Sequence, residues 1–211
     1  MKILFSILCS LLLPMCLRAQ NVVMSCDAAN VLYESIDNPI SVAIENGSSN
    51  IIVETNNGIL IKAAAGKYIV QHAKPGMAIL TIKRKMGSRM LVVGERKFRV
   101  KDLPLPVACI GNKVGGGINK SILIMQQGIV ARMTGFDFET NFKVTRFNIM
   151  IIRNGATLFN HDNIGNRFDD AVKTSFQLLA IGDQVFFNTI YCIGPDKRER
   201  AIGAIEFTII P

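Results

Sequence analysis

The chain has 211 residues, with 24 Lys and Arg against 16 Asp and Glu, a formal net charge of +8 and an apolar share of 49%. That length accommodates one large domain or two small ones, and the basic excess is too modest for a dedicated nucleic-acid binder, which would concentrate its cations beside exposed aromatics. His72 and His161 are the only histidines and no C-x-x-C pair exists, so the commonest zinc ligand set is missing and no metal or cofactor is expected.

The first nineteen residues, MKILFSILCSLLLPMCLRA, set Lys2 before an apolar stretch and end on the small Ala19, the layout of a cleavable export signal. The stretch is shorter than the roughly 20 apolar residues a membrane span needs, and no later one is long enough to cross. Loss of Lys2 and Arg18 lowers the net charge from +8 to +6. Cys26, Cys109 and Cys192 then remain, an odd count that excludes a dense disulfide scaffold. Cys109 and Cys192 fall in strand-like runs and read as small buried hydrophobes, a bridge between them being the alternative.

From 30 to 101, short β-type runs alternate with turn chemistry. Ile40, Val42 and Ile44 alternate with polar or small neighbours, and further runs cover 51–55, 58–62, 68–72, 78–85, 90–93 and 97–101. Asn56-Asn57-Gly58, Pro75-Gly76 and Met86-Gly87-Ser88 punctuate them. Short strands with a turn signal about every ten residues are the signature of an immunoglobulin-like sandwich. Pro104 and Pro106 then forbid a central ladder, since neither donates a backbone hydrogen. They predict a short, stiff linker.

Gly115-Gly116-Gly117 invites a phosphate-loop reading, but Asn119 stands where that pattern needs glycine before Lys120-Ser121. The spacing instead predicts a flexible lead into a short helix. Asn119 is its N-cap, Ile118 and Leu123 form its staple, Ile122 and Met125 share its buried side, and Gly128 closes it. Strand signals follow over 129–133, 142–153, 156–160, 174–181, 185–193 and 201–210. Arg153-Asn154-Gly155-Ala156 predicts a two-residue hairpin. Phe142 and Val144 keep one phase while Phe147, Ile149 and Ile151 keep the other, which predicts a bulge near Thr145-Arg146. The expected fold class is mainly all-β, with two tandem immunoglobulin-like β-sandwich domains, the second carrying one short inserted helix. The expected division is a signal peptide over 1–19, one domain over 20–102 and the other over 103–211.

Motifs along these runs carry a family resemblance. N-V-L-Y at 30–33, D-N-P-I at 37–40, G-K-Y-I-V at 66–70 and F-R-V-K at 98–101 resemble the third domain of the GldM family, also called PorM, of Bacteroidetes gliding motility and type IX secretion. The fourth, C-terminal domain of that family is similar to the second half. There the matching signals are P-x-P-V-A at 104–108, F-D-F-x-x-x-F-K-V-T-x-F at 136–147, G-D-x-V-F-F at 182–187, G-P-D at 194–196 and R-x-I-G-x-I-x-F-x-I at 200–209. In the family these domains form the far end of a dimeric shaft that reaches from an inner-membrane motor toward outer-membrane-associated ring components. The resemblance implies a periplasmic location, a protein partner in the periplasm or at the outer membrane, room for a homodimer, and no catalysis. An export signal stands where the family has a membrane helix and two further domains, so the expected role is a free-standing adaptor or structural paralogue.

Between Lys83 and Lys101 the basic residues are Lys83, Arg84, Lys85, Arg89, Arg96, Lys97, Arg99 and Lys101, against only Glu95. Strand alternation puts Lys83 with Lys85, and Arg99 with Lys101, on common faces. Lys83, Lys85, Arg89, Lys97, Arg99 and Lys101 are the candidate partner-binding residues, suited to an acidic protein surface. A membrane-linked polymer is the alternative, which makes the chain a carbohydrate- or peptidoglycan-binding envelope protein. A solvated sheet face kept from aggregating by its charge is the plain structural reading.

His161, Asp162, Asp169 and Asp170 form the one cluster with acid–base or metal chemistry. Residues 162–166 lack the alternating oxygen ligands of a calcium loop. Adjacent Asp169 and Asp170 point to opposite faces of an extended segment instead of facing each other across a substrate. A polar connection between strands is expected. With no G-x-S-x-G elbow either, no catalytic residue is assigned and no enzyme is expected.

Overall fold

The computed structural model describes residues 22–26, 30–44, 51–136, 138 and 140–211. The expected export signal at 1–19 lies outside them.

In the first half the alternating runs become β1 (Val22–Cys26), β2 (Val31–Tyr33), β3 (Asn38–Ile44), β4 (Ile51–Thr55), β5 (Ile59–Ala64), β6 (Lys67–Gln71), β7 (Gly76–Met86) and β8 (Arg89–Lys101). They pair into two four-stranded sheets, ordered β1-β3-β6-β5 and β2-β8-β7-β4. Because side chains alternate along a strand, Ile40, Val42, Tyr68 and Val70 from one sheet meet Ala78, Leu80, Ile82, Phe98 and Val100 from the other in one core. Each large side chain in it contributes roughly 1.5–3 kcal/mol by leaving water. Runs 90–93 and 97–101, expected as separate strands, are one strand because Gly94 does not interrupt the ladder. Ile82 pairs with Gly94 and Lys83 with Val92, which leaves Val93 as a bulge.

The second half contains β9 (Val107–Cys109), β10 (Gly116–Asn119), α1 (Lys120–Met125), β11 (Val130–Arg132), β12 (Lys143–Arg153), β13 (Ala156–Ile164), α2 (Asp170–Gln177), β14 (Gln184–Ile193), β15 (Glu199–Ala201) and β16 (Ile205–Ile210). A large sheet runs β10-β16-β14-β12-β13, with β15 beside β14, and β9 pairs with β11. Side chains from the small sheet and both helices join the large sheet's inner face in a second core, which includes Leu123, Phe147, Phe168, Val172, Phe176 and Phe187. The chain is therefore mainly β, with tandem units.

Two local expectations are met closely. Asn154 and Gly155 have φ of 50° and 80°, both positive, as a type I′ hairpin turn requires. Thr145 is the extra residue between the pairs Val144↔Cys192 and Arg146↔Tyr191. The resulting phase change lets Val144 on one side of it, and Phe147, Ile149 and Ile151 on the other, all face the core.

Others are corrected. The glycine run is no flexible lead: Gly116–Asn119 is a strand parallel to β16. A Cβ on Gly117 would lie 2.9 Å from the Ile210 side chain. Asn119 does cap α1, its side chain accepting the Ser121 amide, and Ile118 and Leu123 are buried, but Ile122 and Met125 are exposed. The helix is too short to bury a stripe. Gln126 ends it, while Gly128 serves a close approach, since a Cβ there would sit 1.9 Å from the Asn166 carbonyl oxygen. Residues 174–181, expected as a strand, begin inside a second helix, α2. Val172, Ser175, Phe176 and Leu179 are buried at helical spacing, and Asp169 caps the start by accepting the Val172 amide. Run 201–210 is likewise divided between β15 and β16.

The two cores touch through the loop after β2. Ile36 and Leu103 are buried in the second core, and Tyr33 packs edge-on against Phe136 and Phe138 at centroid distances of 4.8 and 5.5 Å. Glu34 accepts both ends of the Arg198 guanidinium, at 3.0 and 3.1 Å.

Candidate functional site

Cross-strand register decides which cations share a face. Met77 lies opposite Arg99, Ile79 opposite Lys97, Thr81 opposite Glu95, Lys83 opposite Val92 and Lys85 opposite Met90. Residues directly opposite each other stand on one side of a sheet, here the side away from buried Ala78, Leu80, Ile82, Phe98 and Val100. Lys83, Lys85, Lys97, Arg99 and Lys101 thus lie together on the outer face. Arg89, opposite Met86, belongs to the other side of the hairpin, near its tip. The bulge at Val93 brings Val92 and Met90 onto the face of Lys97 and Arg99; without it Val93 and Leu91 would stand opposite Lys83 and Lys85 instead.

Lys83 is partly neutralised by Glu54, its ammonium 2.6 Å from the carboxylate. Among the described residues Lys85, Lys97, Arg99 and Lys101 carry no acidic partner. Apolar side chains interleave with them: Ile52, Met77, Met90 and Val92 are between 42% and 58% exposed on the same face. Cations thus interleave with exposed aliphatic and thioether groups on one face, a mixture able to meet surfaces that are both acidic and partly apolar. In the sequence Met77 keeps the period of Lys83 and Lys85, whereas Met90 joins the face only through the bulge at Val93.

The His161 cluster resolves into structure. His161 Nε2 lies 2.7 Å from Asp169 Oδ2. Burial pushes the Asp169 carboxyl up, but the Val172 amide and His161 outweigh it and hold the group below the ordinary range. Asp162 is on the other face of β13, accepting from Asn148 at 2.8 Å, and Asp170 pairs with Lys173 at 3.3 Å. The acids are therefore separated, and among the described residues no group of three or more metal-ligating side chains forms. Cys109 and Cys192 are buried free thiols, and burial pushes the Cys192 thiol up.

Residues of the recurrent motifs also turn out to hold the fold. Buried Asn38 of D-N-P-I accepts the Tyr33 amide and donates to the carbonyls of Tyr33, Ile36 and Val70. Asp183 of G-D-x-V-F-F takes a fork from Arg153, both bonds at 2.7 Å. Asp196 of G-P-D is paired with Arg200 and accepts the Arg198 amide at 3.2 Å. Tyr33 of N-V-L-Y meets Phe136 and Phe138 of F-D-F at the junction of the units.

The family model for the GldM third domain matches residues 21–101, and that for the GldM C-terminal domain matches residues 97–210. No curated protein matches the chain. Among solved structures, the Yersinia pseudotuberculosis adhesin InvE is similar at 13% identity with a TM-score of 0.29, over 90% of this chain and 59% of that one. Domains 6–7 of the surface layer protein SbsC give 14% identity and a TM-score of 0.29, over 90% of this chain and 99% of that one. Likenesses this distant carry no argument, whereas the two family models together span residues 21–210. The chain belongs to the GldM family of gliding and type IX secretion components, through its third and C-terminal domains.

Proposed function

We propose that the chain is a non-enzymatic interaction module of the type IX secretion and gliding apparatus, exported by a cleavable segment over 1–19 and working in the periplasm. Its domains divide at about residue 102, and the outer face of β7 and β8 meets an acidic periplasmic or outer-membrane-associated protein. Family membership supports the setting, and the observation that carries the surface is the single face shared by Lys83, Lys85, Lys97, Arg99 and Lys101 with exposed Met77 and Met90. Arg89 contributes from the hairpin tip. Charge of this kind speeds encounter and makes binding sensitive to salt. The dimerisation found in the family extends the reading to a homodimer.

The test is cross-linking in cells through a photoreactive phenylalanine in place of Met90, combined with Lys97→Glu, Arg99→Glu and Lys101→Glu. A protein adduct of discrete mass, lost in the charge-reversed chain, is expected. Retention on peptidoglycan sacculi without any protein adduct would overturn the proposal in favour of polymer binding.

A further inference from the structure

We propose that the outer edge of β13, with the groove between it and α2, accepts an extended segment of a partner protein as an added strand. This surface is separate from the basic face and does not depend on it. β13 ends the large sheet: it pairs with β12 on one side and, among the described residues, with no strand on the other. About half of its backbone N–H and C=O groups are therefore directed away from β12, a row that templates another strand.

The side chains beside that row supply a place for the added strand's own. Leu158 and Phe159 of β13, Ala171, Thr174 and Ser175 of α2 and Leu178 at its C-cap line two depressions of about 300 and 450 Å³, with Asp170 at the rim of the second paired to Lys173. The depressions share Phe159, Ser175 and Leu178 and so make one groove. Ala171, Thr174 and Leu178 follow helical spacing along one stripe, and none of them is charged. Leu158 is 50% exposed and Leu178 73%. The Ser175 hydroxyl already donates to the Val172 carbonyl, and Arg153 at the groove's end is held by Asp183 and the Leu178 carbonyl. The wall therefore suits uncharged side chains.

An extended peptide satisfies both halves of this arrangement. Its backbone completes the edge ladder, while every second side chain enters the groove. A helix would leave the edge groups unpaired. The pairing stretch is short, because Ile151↔Phe159 and Ile152↔Thr157 leave Leu158 as a bulge, so regular register is available over 159–164.

The test uses the whole purified chain and fluorescent decapeptides in which Thr alternates with Val or with Leu, each also made with N-methyl groups on all the Thr or on all the apolar residues. Fluorescence anisotropy should show saturable binding that falls at least tenfold on N-methylation of one set and little on the other, since only one set faces the edge. The double variant Thr174→Glu, Leu178→Glu changes exposed positions, and circular dichroism checks its fold. It should lose binding at least tenfold, while Lys97→Glu with Arg99→Glu leaves it unchanged. Absence of saturable binding, or equal losses from both N-methyl sets, would overturn strand addition. Self-association abolished by Thr174→Glu, Leu178→Glu in sedimentation would overturn it too, by assigning the groove to a second copy.

Discussion

Asp183 is 1% exposed, yet it is held as a carboxylate. Hydrogen bonds from Arg153 pull its pKa down against the cost of desolvation, and the Ala180 amide helps at 2.8 Å. Its folded pKa is thus below the unfolded value, so its stabilisation is complete above the ordinary aspartate range and is lost as pH falls through the depressed value. Asp183→Asn keeps the shape but leaves the Arg153 guanidinium without its counter-charge, at a cost of about 2 kcal/mol near neutral pH. Urea unfolding should show that gap at pH 7 and a shrinking one below about pH 4. A gap that persists at low pH would mean packing, not charge, is at stake. The motif G-D-x-V-F-F marked this aspartate in the sequence as a family position. That it is structural was not legible, because its partner lies thirty residues away on β12.

At the scale of elements, legibility followed the range of the forces involved. The strands of the first half, the turn at Asn154-Gly155 and the bulge at Thr145 follow from period-two burial and local backbone preference, which a short window of residues displays. Helix α2 did not show itself, since Phe176, Leu178 and Leu179 lie close enough together to pass for a strand, and its true stripe of Val172, Ser175, Phe176 and Leu179 includes a serine. Asp169 is the start signal of the helix. Its side chain satisfies the Val172 amide and also holds His161. Asp169→Ala should cost about 1–2 kcal/mol in chemical denaturation and speed hydrogen exchange in the first turn of α2, whereas Asp169→Asn, which still accepts the amide hydrogen, should cost less than half as much. Equal losses in the two variants would assign the effect to the His161 contact alone.

For the whole molecule, the junction decides whether the two cores act as one body. Ile36 and Leu103 are buried in the second core although they flank strands of the first, so the second core is not complete without chain from the first unit. Tyr33 adds two edge-to-face ring contacts, each worth roughly 0.5–1.5 kcal/mol beyond area burial. Arg198 is 59% exposed, and solvent screening keeps its fork on Glu34 to about 1 kcal/mol or less. The apolar contacts therefore dominate the coupling, and the ion pair chiefly orients it. Calorimetry of the unaltered chain should give a single transition, since opening the junction exposes Ile36, Leu103 and Tyr33 together. Tyr33→Ala should split it into two, because the remaining contacts no longer outweigh the entropy released when the units separate. Arg198→Ala should keep one transition and mainly reduce its dependence on salt. Two transitions in the unaltered chain would mean that the units unfold independently, and the basic face and the β13 edge would then be linked by a flexible joint instead of a rigid one.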